Sequence, residues 1–163
     1  MKSIRNNSNL SELDEVDEKI INLLQKNARL TNKEIALEVG IAESTCSERM
    51  RKLNKKKIFL GFHSFVNSSY LGVNIQAIIA VKLKRHSKEV VENFKLALKD
   101  NKEIVNTYHM ASNSDFLLHV AVTDKDHLRN FVMDKLTALK SVKNVETSLI
   151  YDFVHNPLFP IYH

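Results

Sequence analysis

The spacing of apolar residues changes character partway along this 163-residue chain. Over residues 14–54 they recur at helical spacing, whereas from residue 75 short alternating runs are interleaved with two helical ones. A segment patterned at 3.6 residues and one patterned at 2 bury their faces differently, so the two halves are built differently. Two small domains follow, each with its own core. A hydrophobic share of 44% with 26% charged residues is enough for such cores and argues against disorder. No apolar run approaches the roughly 20 residues of a membrane span. The opening MKSIRNNSNLSELDE is polar and lacks the apolar centre of a signal peptide. A single cysteine forms no internal disulfide, which fits a reducing cytoplasm.

The first half reads as three helices. From Asp14 to Lys26, Val16, Ile20, Leu23 and Leu24 share one face, and Asp14 can cap the start. Thr31 and Glu34 have the spacing of a capping box, and Ile35, Ala36 and Val39 form the buried side of a short second helix. Gly40 ends that helix by taking the left-handed conformation at low steric cost. The third helix runs from Glu43 to about Asn54, with Cys46, Met50 and Leu53 inward. Ser44, Glu48, Arg51 and Lys55 face the opposite way, with Ser47, Arg49 and Lys52 on the flanks. A short helix, a glycine turn and a helix with a cationic outer face make a helix-turn-helix. Between Ser44 and Lys57 six cations face one anion, Glu48, a local +5 that equals the net charge of the whole chain. Such a run suits a polyanion.

After Lys57 the stretch IFLGFHSFVN is rich in aromatic and β-branched residues and reads as one or two short strands, a wing on the helical domain. NSSYLGVN (67–74) has loop composition. The expected division is a flexible N-terminus at 1–11, a winged helix-turn-helix at 12–66, a linker at 67–74 and a second domain at 75–163. In that domain strands at 75–84, 103–111, 115–123 and 144–154 and helices at 88–100 and 124–139 give the order βαββαβ. The class is α+β, with a ferredoxin-like sheet backed by helices on one face. The other face carries Gln76, Ile78, Ala80, Leu117, His119 and Ala121, too apolar for water, and predicts a homodimer. The tail NPLFPIYH holds both prolines and reads as an extended segment lying along the partner.

This arrangement resembles the leucine-responsive/asparagine regulator (Lrp/AsnC) family of transcription factors. The carriers are LDEVDEKIINLLQKNAR, GIAESTCSERMRKL, GFHSFVN and NTYHMASNSDFLLHV, in that order over roughly 12–154. The resemblance implies a regulator with no cofactor, in the cytoplasm and on the nucleoid. It implies a second domain called RAM, dimers assembled through it, and often octamers of four dimers. It also implies a small-molecule effector, frequently an amino acid, at the loop between the second and third RAM strands. The family pattern there is Gly-x-x-Asp-aromatic, matched by Ser112-Asn113-Ser114-Asp115-Phe116, so Met110, Ser112, Asn113 and Asp115 become the candidate effector residues. Ser112 in place of glycine narrows the access of a carboxylate to backbone amides, which puts amino-acid sensing in doubt. Two further departures are Ala42 where a hydroxyl cap is usual and Lys57 where a glycine is expected.

The DNA candidates are Ser44, Thr45, Ser47, Arg49, Arg51, Lys52, Lys55 and Lys56. Ser44, Thr45 and Ser47 lie in the first turns, where such helices approach base edges. Arg49 and Arg51 suit guanine or phosphate, and the lysines suit phosphates. Glu48 reads first as an i,i+4 partner of Lys52. Two-fold symmetry predicts a near-palindromic operator in double-stranded DNA. No HxxxH or cysteine cluster supports a metal site, and no catalytic set is evident. Two other readings share the architecture: a nucleoid-like protein that bends DNA with broad specificity, and an enzyme like the sirohaem decarboxylases. The enzyme would use Arg85, His86, His109 and His119 around a tetrapyrrole, and would have no need of a basic recognition helix.

Overall fold

The computed structural model describes residues 13–156 and 158–162. The flexible terminus expected at 1–11 lies outside the described residues. The chain divides into two compact units: residues through Phe65 with the segment from His155 onward, and Val66–Val154.

The first unit holds helices α1 (Glu15–Lys26), α2 (Asn32–Val39) and α3 (Glu43–Lys55). Each starts where local chemistry allows. Asp14 accepts from the Asp17 N–H at the head of α1, and Thr31 with Glu34 completes a capping box at α2. Gly40 closes α2 at φ 78°, and the Gly40 and Ile41 N–H groups both donate to the Ala36 carbonyl. Ile20, Leu24, Ile35, Ala36, Cys46 and Leu53 are buried where the three helices meet. Burial also pushes the Cys46 thiol pKa upward, which suits a packed, unreactive sulfur.

The second unit is a four-stranded antiparallel sheet in the order β2-β3-β1-β4. Its strands are β1 (Ile75–Leu83), β2 (Ile104–His109), β3 (Phe116–Val122) and β4 (Val142–Leu149). Helices α4 (Lys88–Leu98) and α5 (Lys125–Phe131) cross between them, α5 running on into a π-helical turn at Val132–Thr137. Alternation places Ala77, Ile79, Val81, Phe116, Leu118 and Val120 in the core with Phe94, Leu98, Phe131 and Leu136. The opposite face, with Gln76, Ile78, Ala80, Leu117, His119 and Ala121, is half-buried.

Three expectations are revised. Residues 58–66 adopt no regular secondary structure, so the wing is absent as a strand. A strand needs a ladder partner, and propensity alone does not supply one. β4 begins at Val142 and ends at Leu149, whereas alternation suggested 144–154. Among the described residues its one neighbour is β1, and pairing ends with Ala77–Leu149 and the bond from Ile150 N–H to the Gln76 carbonyl. Finally, the tail belongs to the first unit of its own chain, although the pattern had assigned it to the second domain.

Candidate functional site

Helix α3 turns Cys46 and Leu53 inward and leaves Ser44, Thr45, Ser47, Arg51, Lys52, Lys55 and Lys56 exposed. Several of the expected DNA residues have intramolecular partners, Arg49, Ser47 and Lys52 among them. The Arg49 guanidinium donates to Asp14 at 2.7 Å and to Asp17 at 2.8 Å, so it faces the head of α1. Those bonds hold the Asp14 carboxyl below its usual value, the Asp17 N–H contributing most and Arg49 next. Arg49 thus braces α1 against α3 through these two bonds. Ser47 accepts from the Asn32 side chain at 3.1 Å, which ties α2 to α3. Glu48 pairs with Lys52 at 3.0 Å, as the i,i+4 reading expected, and the bond lowers the Glu48 pKa. What remains outward is a hydroxyl-bearing first turn followed by Arg51, Lys52, Lys55 and Lys56.

The loop between β2 and β3 separates two shallow concavities. Met110, Ser112 and Asp115 border one of about 510 Å³ with Lys82, His86 and His109, and Asn113 borders the other, of about 570 Å³, with Lys82 and Lys143. Asp115 is only 4% exposed. Its carboxylate accepts from the Leu83 N–H at 2.8 Å and lies 2.7 Å from His86 Nδ1 and 3.5 Å from Lys82 Nζ. Burial pushes its pKa up, but Leu83, His86 and Lys82 outweigh that and hold it low. So Asp115 anchors the loop to the end of β1, and its oxygens are already engaged.

His109 stacks between His86, at 5.4 Å, and Phe116, at 4.7 Å. His119 lies on the open sheet face, with Nε2 at 2.8 Å from Gln76 Oε1 and Nδ1 at 3.5 Å from the Asn106 amide. That pairing suits a neutral ring, and burial lowers its pKa. Register pairs His109 with the core residue Phe116, and His119 with Asn106. The four residues of the tetrapyrrole reading are thus not one cluster: His86 and His109 meet, while His119 is on the other face.

Two family models match this chain. The AsnC-type helix-turn-helix domain covers residues 13–54 and the Lrp/AsnC ligand binding domain covers residues 76–156. The chain belongs to the Lrp/AsnC family. It is 37% identical over 142 residues to the HTH-type transcriptional regulator AldR of Mycobacterium tuberculosis, covering 87% of this chain and 79% of that protein. The leucine-responsive regulatory protein of Escherichia coli is 29% identical over 143 residues, covering 88% and 87%. Among solved structures, the Neisseria meningitidis regulator NMB0573 in complex with L-Met superposes with a TM-score of 0.82 at 27% identity, over 88% of this chain and 93% of that one. A crystal structure of the mycobacterial AldR gives 0.73 at 32% identity, over 91% and 100%. This protein is accordingly a transcriptional regulator of the Lrp/AsnC type, with a helix-turn-helix domain and a ligand-binding domain.

Within the Lrp/AsnC pattern the three departures have distinct structural outcomes. Ala42 caps α3 with no side-chain hydrogen bond. Lys57 takes φ 58°, and among the described residues it is the one non-glycine with positive φ. Lys57 N–H donates to Asn54 and Ile58 N–H to Leu53, the paired bonds of a Schellman motif that normally has glycine at this position. Ser112 is not left-handed, and its hydroxyl donates to the Ser114 carbonyl at 2.9 Å. The loop closes on itself where glycine would leave it open.

Two relationships were invisible to sequence reasoning: the Arg49 brace, and the His86–Asp115 pair. Asp14 did stand out as a helix-start residue. Nothing local pointed to its partner 35 residues away.

Proposed function

We propose that this Lrp/AsnC regulator reads double-stranded DNA with α3, as a dimer, under the control of a small molecule held near the β2–β3 loop. The observation that carries this reading is the outward face of α3. Its cations remain exposed after Arg49 has been drawn back to α1. Ser44, Thr45 and Arg51 are the base readers in this assignment, and Lys52, Lys55 and Lys56 grip phosphates. The half-exposed sheet face around Ile78, Ala80 and Leu117 is the surface for a second copy, and octamers of four dimers extend the same symmetry. Dimer symmetry then calls for half-sites about one helical turn apart.

The effector residues in this reading are Met110, Ser112 and Asn113, with Asp115 holding the loop. A relative bound to L-Met supports a ligand in this domain. The self-closed loop at Ser112 argues that the ligand differs from one gripped by open backbone amides. No described helix is long and apolar enough to cross a membrane. We place the protein on cytoplasmic DNA, in the role its relatives have as regulators.

The test is binding to the DNA upstream of its own gene and to random DNA across a salt series. A linear fall of log affinity with log salt and operator binding tighter by about 10³ or more supports a specific regulator. Equal binding to both supports broad DNA bending. No binding at ~50 mM salt would reject the DNA reading and return attention to His86 and His109.

A further inference from the structure

The C-terminal segment is held onto the helix-turn-helix unit by an unusual bond pair. Gln25, on α1, uses both ends of its side-chain amide on one residue. Phe159 N–H donates to Gln25 Oε1 at 2.7 Å, and Gln25 Nε2 donates to the Phe159 carbonyl at 3.3 Å. The amide thus imitates one rung of a β-ladder, reading backbone and not side chain. Beside it, Leu13, Ile21 and Phe59 line an apolar concavity of about 510 Å³ with Phe159, Ile161 and Tyr162. Leu13, Ile21 and Phe59 are partly buried flanks of the small helical core, which gains cover here. A stack of Phe65 on His155, centroids 4.5 Å apart and planes 6° apart, pins together the two points where the chain leaves this unit and returns to it.

We propose that residues 155–156 and 158–162 belong to a strap, docked in cis, that sets the position of α1 and through it the recognition helix. The route consists of named bonds. Phe159 holds Gln25 near the C-terminal end of α1, and Asp14 and Asp17 at its N-terminal end hold Arg49 on α3. The strap is the direct continuation of the ligand-binding unit, whose last residue is Val154. Pulling or releasing it shifts α1, and the Arg49 brace passes that shift to α3. The control part of the proposal rests on α3 being the DNA-reading helix.

The test compares full-length Gln25→Ala and a chain ending at Asn156 with the unaltered protein. Hydrogen exchange, read without DNA, is expected to rise about tenfold or more over residues 17–26 in both variants, the loss of roughly two net hydrogen bonds. Exchange over 75–149 should stay unchanged. Operator affinity should weaken several-fold in both. Unchanged exchange in α1, or a rise spread equally through 75–149, overturns the strap. Raised exchange with unaltered affinity in a protein that binds operator overturns the control role. Absence of operator binding by the unaltered protein would instead strike the DNA reading and leave the strap standing. Mixing the two variants gives no rescue when docking is in cis. Recovery of α1 protection in the mixture would show a strap exchanged between copies and overturn the cis assignment.

Discussion

Arg49 Nη1 lies 2.8 Å from Asp17 Oδ1, joining α3 to the first turn of α1 across 32 residues of sequence. The bond is partly sheltered: the side chains are 27% and 15% exposed. A charge-assisted bond of this kind contributes about 1–2 kcal/mol once solvent screening is allowed for. Arg49→Ala is therefore expected to lower the stability of the helix-turn-helix unit by about that amount in a denaturant titration. It should weaken operator and random DNA together, because it displaces the helix without deleting a base contact. A selective loss of operator binding would show instead that Arg49 reads bases.

Arg51 and Lys55 are both exposed on the outer side of α3 and should separate specificity from grip. Arg51→Ala should cost about 1–3 kcal/mol on operator DNA and much less on random DNA. Lys55→Ala should weaken both alike and reduce the salt slope by about one phosphate contact. Competition binding at two salt concentrations distinguishes them.

The ends of α3 carry two correctable defects. Ala42 leaves the first turn without a side-chain cap, so Ala42→Ser should add about 1 kcal/mol of stability. Lys57 occupies a left-handed position that costs a side chain roughly 1 kcal/mol, so Lys57→Gly should also stabilise. Thermal melts should show each as a rise of a few degrees. Lys57→Gly removes a cation as well, and a weaker grip on any DNA sequence is its expected side effect.

Asp115 supplies a pH dependence whose sign is set by its environment. Its carboxyl pKa is lowered in the fold from the ordinary 3.8, burial notwithstanding, because Leu83, His86 and Lys82 favour the ionised form. The unfolded chain thus takes up a proton first as pH falls. The stabilisation is complete above the ordinary value and disappears as pH drops through the lower folded value. Asp115→Asn should flatten this acid limb in urea midpoints measured from pH 6 to 2. Asp115→Ala, which strands the buried Leu83 N–H, should cost about 2 kcal/mol at neutral pH.

Much of this architecture is written in short-range pattern. The capping box at Thr31 and Glu34, the turn at Gly40, the uncapped Ala42 and the Glu48–Lys52 pair all involve residues within four positions of each other, and each was legible before any fold was known. The same holds for the core faces of β1 and β3, where period-2 alternation names the buried set directly. What the pattern misjudged was length and partnership. Strand β4 pairs with β1 only as far as Leu149, with one further bond from Ile150 to Gln76, and residues 58–66 remain without a ladder despite their β-prone composition.

By itself, then, the sequence determined two domains, their α+β class, the helix-turn-helix and the family, because helix, strand and turn preferences act over a few neighbouring residues. The tertiary structure decided which charged and polar groups are already spoken for. Arg49 was drawn to Asp14 and Asp17, Asp115 to Leu83 and His86, and Gln25 to Phe159, across separations of 29 to 134 residues. A side chain's choice among distant partners depends on which segments packing brings within about 3 Å, and no local pattern encodes that distance.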